Sequence, residues 1–338
     1  MADAPPPDSS PADMPADAAQ DLPAEAAQSP PTPPIVVTER NKDELCSAIR
    51  ALKDCAPKNI NDEDILITRE KFTIFRDKEI PGGSNSKLFL AQDPSAAQIL
   101  VRICPMGKFS KRQKENFLNG SLKVIAYLIK VKPPNIINFH SVYVAPQKAY
   151  IFSEHCKGGE LWKYAKEKAK TTKLTEDDIK PWIRNIAEGL QWLYLRGIGH
   201  RNLGSDAIVL TEDKIFAKIG SFGQAILTWD PNTSTPIKAD KNSHFEPCYA
   251  PESMKGPYDP HAADIWGLGV IIADCLTAKH PFTKSGEKDY DTAVRNHFRK
   301  NLVSISQQLD LALKRIFEMD PTKRATPQEI LSQMNWLM

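Results

Sequence analysis

The sequence changes its pattern near residue 156, from short β-rich runs to helical periodicity. Before this point, several runs are rich in β-branched and aromatic residues, which are typical of strands. The predicted strands are Phe72–Glu79, Lys87–Ala91, Gln98–Cys104, Ile137–Val144 and Ala149–Cys156. A helical stretch at roughly residues 113–131 interrupts them. This order predicts a small sheet with one main helix.

The pattern after residue 160 is helical. Thr175 and Asp178 form a capping-box pattern ahead of apolar residues that share one helix face, which predicts a long core-facing helix. The run Asp264–Leu276 (DIWGLGVIIADCL) is apolar nearly all round, so we predict a helix buried at the centre of this half. A small sheet followed by mostly helices gives an α+β class with two lobes, and a chain with 41% apolar residues can build the core.

Composition excludes several classes of protein. The net charge is +2 and there is no dense Lys/Arg stripe, so nucleic acid is not a predicted partner. The six cysteines are scattered without zinc spacing, which indicates reduced thiols. There is no basic segment followed by an apolar stretch at the N-terminus, and no apolar run long enough to span a bilayer. We therefore predict a cytoplasmic protein with no membrane partner.

The N-terminal segment, residues 1–36, is rich in Pro, Ala and Asp and contains neither Lys nor Arg. It has little apolar surface to bury, so we predict a disordered tail. Its Pro30–Pro34 run favours polyproline II, which either docks in an aromatic groove of a partner or stays solvated.

Three further segments follow the tail. Residues 37–71 are predicted as a short helix and a linker, because Leu45, Ile49 and Leu52 have helical spacing. The remaining domain is predicted over residues 72–338, with an N-terminal lobe at about 72–155 and a C-terminal lobe at about 156–338.

Four separated segments carry the residues that point to a chemical function. They are IPGGSNSKL at 80–88, ILVR at 99–102, HRNLGSDA at 200–207 and KIGSFG at 218–223. In this order they resemble the glycine-rich loop, the V-A-I-K strand, the catalytic loop and the D-F-G segment of eukaryotic protein kinases. The resemblance covers about residues 72–337 and implies a two-lobed protein-kinase-like fold.

The first two segments are degraded versions of the family pattern. Gly83 matches one glycine of the loop, whereas Pro81 and Ser86 stand at the outer two, so the loop is a weakened phosphate cradle or an ordinary turn. Arg102 replaces the lysine and either contacts a phosphate or forms a salt bridge at the rim. The glutamate that the family pairs with that lysine falls near Ser121.

The resemblance implies that the groups for phosphoryl transfer are missing. Asn202 stands at the general base, and Ala207 and Ser221 stand at the two metal ligands. We therefore predict no catalytic residue and no metal site. Asp206 lies one residue from a metal-ligand position, and a replacement role for it requires a rebuilt loop.

The resemblance also implies that the frame and the adenine site remain. Glu252 and Arg324 match a buried ion pair of the family, and Asp264 matches its anchor for the catalytic loop. The Glu154 carbonyl and the Cys156 backbone are the expected adenine contacts. No cofactor is predicted to be required, and magnesium-independent binding of ATP is the alternative. A pocket filled by side chains is the competing interpretation.

The segment between Gly223 and Ala250 carries several hydroxyl residues. One hypothesis is that phosphorylated Thr235 or Ser243 docks on Arg201 and orders this segment. The alternative is an unmodified loop with Arg201 bonded to the backbone.

These patterns predict a pseudokinase that acts as a scaffold or allosteric partner in kinase signalling. Its predicted protein partners are an active kinase or the substrates of that kinase. Within the superfamily, Gly256–Pro260 and Asn335–Leu337 resemble the calcium/calmodulin-kinase-like testis-specific serine/threonine kinases. The alternative is a divergent serine/threonine kinase with residual ATP binding and phosphotransfer. A nucleotide-sensing switch is the third hypothesis.

Overall fold

The computed structural model describes residues 42–81, 86–282 and 290–337, and only the backbone of residues 290–292. Gly83 and the predicted tail at residues 1–36 lie outside these ranges. The architecture is α+β, with a β-rich lobe followed by a helical lobe, as the sequence predicts.

The β-rich lobe is a six-stranded sheet with the order β1-β5-β6-β4-β3-β2. Its strands are β1 (Lys58–Asn59), β2 (Thr73–Ile80), β3 (Lys87–Gln92), β4 (Gln98–Pro105), β5 (Phe139–Val144) and β6 (Lys148–Glu154). All neighbours are antiparallel except β1 and β5. The five strands predicted from sequence lie within two residues of their predicted bounds.

The alternation of apolar residues along β4 sets the sheet's register. Ile99, Val101 and Ile103 are buried on one face, against Phe89 and Phe152. The intervening Arg102 therefore points to the opposite face, towards the helical lobe.

The helix predicted at residues 113–131 is present but is divided. It consists of α3 (Lys111–Asn116), a π-helical turn (Phe117–Ser121) and α4 (Leu122–Val131). Gly120 lies in the turn, where a Cβ atom would come 3.1 Å from the Ala225 carbonyl oxygen. Glycine, which has no Cβ atom, thus lets the helix approach the backbone of the other lobe closely.

Two helices organise the helical lobe. The first, α6 (Glu176–Leu195), begins with the predicted capping box of Thr175 and Asp178. The second, α7 (Pro260–Thr277), is buried at every residue, which confirms the central helix predicted from its all-round apolar sequence. Gly267 faces the Leu203 carbonyl oxygen, which would lie 2.3 Å from a Cβ atom, so glycine lets residues 200–207 pack directly on α7.

The remaining elements complete the helical lobe. The helices are α5 (Leu161–Lys168), α8 (Tyr290–Lys300), α9 (Gln307–Ile316) and α10 (Pro327–Gln333). The short strands are β7 (Gly159–Glu160), β8 (Ile198–Gly199), β9 (Ile208–Leu210), β10 (Ala217–Ile219), β11 (Ile226–Leu227), β12 (Trp229–Asp230) and β13 (Thr235–Pro236).

The segment before the sheet is folded onto the domain. The helix expected at residues 42–53 is α1 (Lys42–Lys53), with Leu45, Ile49 and Leu52 buried. Residues 54–71, which the sequence analysis assigns to a linker, contain β1 and α2 (Asp64–Thr68). These elements are too short to show periodicity, so the sequence pattern does not reveal them. None of the helices in the described ranges has the length and apolar character to cross a membrane.

Candidate functional site

A cavity of about 320 Å³ lies between the two lobes and brings the four predicted segments together. Its walls are mostly apolar. The N-terminal lobe contributes Ile80, Leu88, Leu100, Arg102, Cys104, Ile125, Ile137, Phe139, Ile151 and Ser153. The connection and the C-terminal lobe contribute His155, Cys156, Gly159, Glu160, Lys163, Asp206, Val209, Gly220, Ser221, Phe222 and Gly223.

Arg102 reaches this cavity from the middle of β4, where it pairs with Ile151 of β6. Its Nη1 donates to the Ser86 hydroxyl at 2.9 Å. Of the two sequence-based interpretations, a rim salt bridge is not found, because no ion pair of Arg102 occurs among the described residues. The guanidinium instead has a neutral partner and faces the cavity, where it is the main cation on the N-terminal lobe's side.

Ser121 lies at the end of the π-helical turn and is buried. Its hydroxyl is within hydrogen-bond distance of two carbonyl oxygens, at 2.8 Å from Gly223 and 3.3 Å from Ala225. At the position where the resemblance implies a glutamate, the chain therefore has a neutral group that holds the segment after Ser221. Sequence reasoning located Ser121 but not these partners.

The two predicted adenine-contact residues differ in position. Cys156 lines the cavity, and burial raises the pKa of its thiol to about 12, so the thiol stays protonated. Glu154 directs its carboxylate to the Lys218 ammonium, at 2.7 Å, and accepts from the Asn138 N–H at 2.6 Å. The Glu154 side chain is thus a structural ion-pair partner at the edge of the site, and Lys218 is a neighbour that sequence reasoning missed.

The residues aligned with the family's base and metal ligands are Asn202, Ala207 and Ser221. Ala207 is buried, and its carbonyl oxygen accepts the Gly220 N–H at 2.8 Å. Ser221 lines the cavity and has a left-handed backbone, with φ of 59°. Asn202 lies with its amide oxygen 3.9 Å from the Cys248 sulfur. None of these three side chains has a carboxylate.

Two carboxylates line the cavity, Glu160 and Asp206. Glu160 is paired with Lys163 at 3.0 Å, whereas Asp206 has no ion pair among the described residues. Asp206 lines the cavity in the observed conformation of the loop, one residue before Ala207.

Magnesium, which the fold implies alongside nucleotide, fits this donor set poorly. It prefers hard anionic oxygens in octahedral geometry. Within the described parts of the chain, no group of three His, Cys, Asp or Glu side chains is placed to hold a metal ion.

The frame around the site is intact. The Asp264 carboxylate accepts the backbone N–H groups of His200 and Arg201 at 2.7 and 2.8 Å, while its burial raises its pKa to about 7. The His200 ring is fully buried, donates from Nε2 to the Gly220 carbonyl oxygen at 2.7 Å and packs against Phe222. Burial lowers the pKa of His200 to about 4.

Arg201 is bonded within the protein. It donates to the Tyr258 hydroxyl at 3.0 Å, to the Asp240 carbonyl oxygen at 3.2 Å and to the Asn242 side chain at 3.3 Å. This geometry matches the alternative in which Arg201 bonds an unmodified loop. The phosphorylation hypothesis remains a prediction.

A β-rich lobe and a helical lobe around a cavity lined by these four segments define the class of the protein as kinase-like. The model of the protein kinase domain matches residues 76–337. The chain therefore belongs to the protein kinase family.

Known relatives agree with this assignment. Human serine/threonine-protein kinase Nek5 is 27% identical over 260 residues, which cover 76% of this chain and 35% of that protein. Mouse serine/threonine-protein kinase Nek3 is 33% identical over 172 residues, which cover 50% of this chain and 32% of that protein. The chain thus spans about a third of the length of these curated relatives.

A solved structure with the same fold is the crystal structure of Rad53 1-466 in complex with AMP-PNP. It superposes with a TM-score of 0.60 at 20% identity and covers 79% of this chain and 65% of that one. At this identity the likeness shows the fold alone.

Proposed function

We propose that this chain is a catalytically impaired protein kinase, a pseudokinase that acts as a scaffold or allosteric partner in kinase signalling. The observation that carries the proposal is the set of side chains at the lobe interface. Asn202, Ala207 and Ser221 stand where a base and two metal ligands are required, and of the two carboxylates that line the cavity, Glu160 is already paired with Lys163. A general base alone contributes about 10²- to 10⁴-fold in rate, so the combined losses leave little transfer.

The intact frame supports a binding role. The Asp264 carboxylate accepts bonds from residues 200 and 201, and Glu252 pairs with Arg324. These contacts hold the helical lobe together. A domain whose frame is complete and whose transfer groups are replaced can still present surfaces to other proteins.

The cavity supports nucleotide binding without metal as part of this proposal. Its apolar walls and its position between the lobes suit a planar base, and Arg102 supplies a cation for phosphate. The Rad53 structure holds AMP-PNP, which by analogy makes an adenine nucleotide the first ligand to test.

The decisive experiment is a thermal unfolding series on the full chain with ATP, crossed with magnesium and EDTA. A ligand that binds only the folded state raises the unfolding temperature. We expect a shift that EDTA does not remove. In the variant Ser221→Asp, which restores one metal ligand, the shift should become larger with magnesium. Thr172→Ala, at an exposed position away from the cavity, serves as the surface control. A wild-type shift that requires magnesium would contradict the proposal.

The second candidate is a divergent serine/threonine kinase. It is favoured by the names of the relatives and by Asp206, which faces the cavity. Magnesium-dependent labelling of a protein substrate by the purified chain, lost in Asp206→Asn, would establish it.

A cytoplasmic location and kinship with testis-specific kinases belong to the proposal, and the latter rests on Gly256–Pro260 and Asn335–Leu337.

A further inference from the structure

A second, wider groove of about 950 Å³ lies between α3 and residues 240–257. Its lining shares no residue with the cavity described above. Its charged side chains are four cations and one carboxylate, namely Arg112, Arg201, Lys241, Lys255 and Asp240. We call it the cationic groove.

The two arginines of the cationic groove are held in place by the same residue. Arg112 donates to the Asp240 carboxylate at 2.5 Å, and Arg201 donates to the Asp240 carbonyl oxygen at 3.2 Å. Further bonds from Arg201 to Tyr258 and Asn242 fix its guanidinium. Because Arg201 is already held in one orientation, the protein loses less side-chain entropy when an anion binds there.

The two lysines are exposed and available. Within the described residues, neither the Lys241 nor the Lys255 ammonium has a hydrogen bond or an ion pair. A further carboxylate near this region, Glu246, is paired with His244 at 3.3 Å. The net charge of the lining therefore remains positive.

The uncharged lining residues favour a polypeptide over a small anion. The exposed Asn116 amide and the Gln113 Nε2 can bond an extended backbone, whereas the Gln113 Oε1 already accepts the Ser110 N–H. The Tyr249 ring is buried, with its hydroxyl bonded to Gln224, so it offers no open face for stacking a nucleic-acid base.

We propose that the cationic groove binds an acidic peptide of a protein partner, in an extended form with several carboxylates. The inference rests on the proposed function, because it gives the binding role a surface. One exposed ion pair contributes little, so the groove selects segments with multiple acids and not single residues.

The test measures fluorescence anisotropy of a labelled peptide of alternating glutamate and glycine on the full chain, without nucleotide or metal. We expect saturable binding that weakens as NaCl is raised, because exposed charges are screened. The double variant Lys241→Glu/Lys255→Glu should weaken binding by about tenfold, from two lost attractions and two new repulsions. A matched peptide with glutamine in place of glutamate should not bind.

The double variant Lys78→Glu/Lys300→Glu is the control, because it makes the same change in net charge at exposed lysines outside the groove. Equal losses in both double variants, or binding of the glutamine peptide, would overturn the proposal. Binding of a phosphoserine peptide but not of the glutamate peptide would also overturn it, in favour of a phosphate site. Because no transfer is measured, a failure here is distinguishable from a failure of the pseudokinase proposal.

Discussion

Residues two positions apart have opposite roles in the loop at 200–207. The His200 side chain is buried between Gly220 and Phe222 and stabilises the frame. Asn202 stands where the family has its general base, and its amide oxygen lies 3.9 Å from the Cys248 sulfur. Frame residues of this kind contribute to stability whether or not the chain transfers phosphate.

The buried His200 ring predicts a specific dependence of stability on pH. Its pKa is lowered to about 4, against about 6.5 in an unfolded chain. Between these values the unfolded state binds the proton and the folded state does not, so the free energy of unfolding rises with pH. The free energy of unfolding is therefore highest above pH 6.5, and it falls by about 2–3 kcal/mol as the pH is lowered towards 4.

Urea unfolding of the wild type and His200→Gln between pH 4.5 and 7.5 checks this. The variant is expected to be less stable at pH 7.5, and the difference should shrink towards acid pH. Asp264, whose raised pKa has the opposite effect, is present in both proteins and cancels in the comparison. A difference that is constant with pH would contradict the assignment of a neutral, buried His200.

At the scale of elements, the sequence pattern predicted those helices and strands whose own apolar periodicity is sufficient to define them. The alternation Ile99, Val101, Ile103 located β4, and the all-round apolar run located α7. Pattern could not supply partners far apart in the chain. Ser121 donates to Gly223, and Lys218 donates to Glu154. Each pair is far apart in the sequence and is brought together only by the fold.

The contact between the segment around Glu252 and the turn before α10 gives a second prediction. Arg324 is buried and forms two bonds to the Glu252 carboxylate, at 2.6 and 3.1 Å. Removing one partner of such a pair leaves a buried charge, so Arg324→Ala should lower the free energy of unfolding by about 3–5 kcal/mol. The matched control is Arg315→Ala, whose exposed pair with Glu329 at 2.8 Å should contribute less than about 1 kcal/mol. Similar losses in the two variants would contradict the claim that Arg324 anchors the frame.

At the scale of the whole molecule, the folded body is larger than the family domain. The domain match begins at residue 76, whereas α1, at residues 42–53, already packs on the domain. Helix α1 contacts both lobes: Leu52 is in one core cluster with the residues of α4, and Ile49 packs with Trp229 of β12. Lys53 adds a weak pair to Asp230 at 4.0 Å. The chain thus has a built-in brace across the lobes that the family pattern does not include.

This brace is expected to set the mobility of the site as well as stability. Helix α1 packs on α4, and the turn before α4 holds the Gly223 carbonyl oxygen through Ser121, at the wall of the cavity. Ile49→Ala should lower the free energy of unfolding by about 2–4 kcal/mol, because Ile49 is fully buried. Ser47→Ala on the exposed face of the same helix should change it by less than about 0.5 kcal/mol. Hydrogen exchange of the full chain should then show faster exchange in α4 and at residues 222–227 in Ile49→Ala only. If exchange accelerates in α1 alone, the brace stabilises itself without restraining the cavity, and the coupling from α1 to the site is wrong.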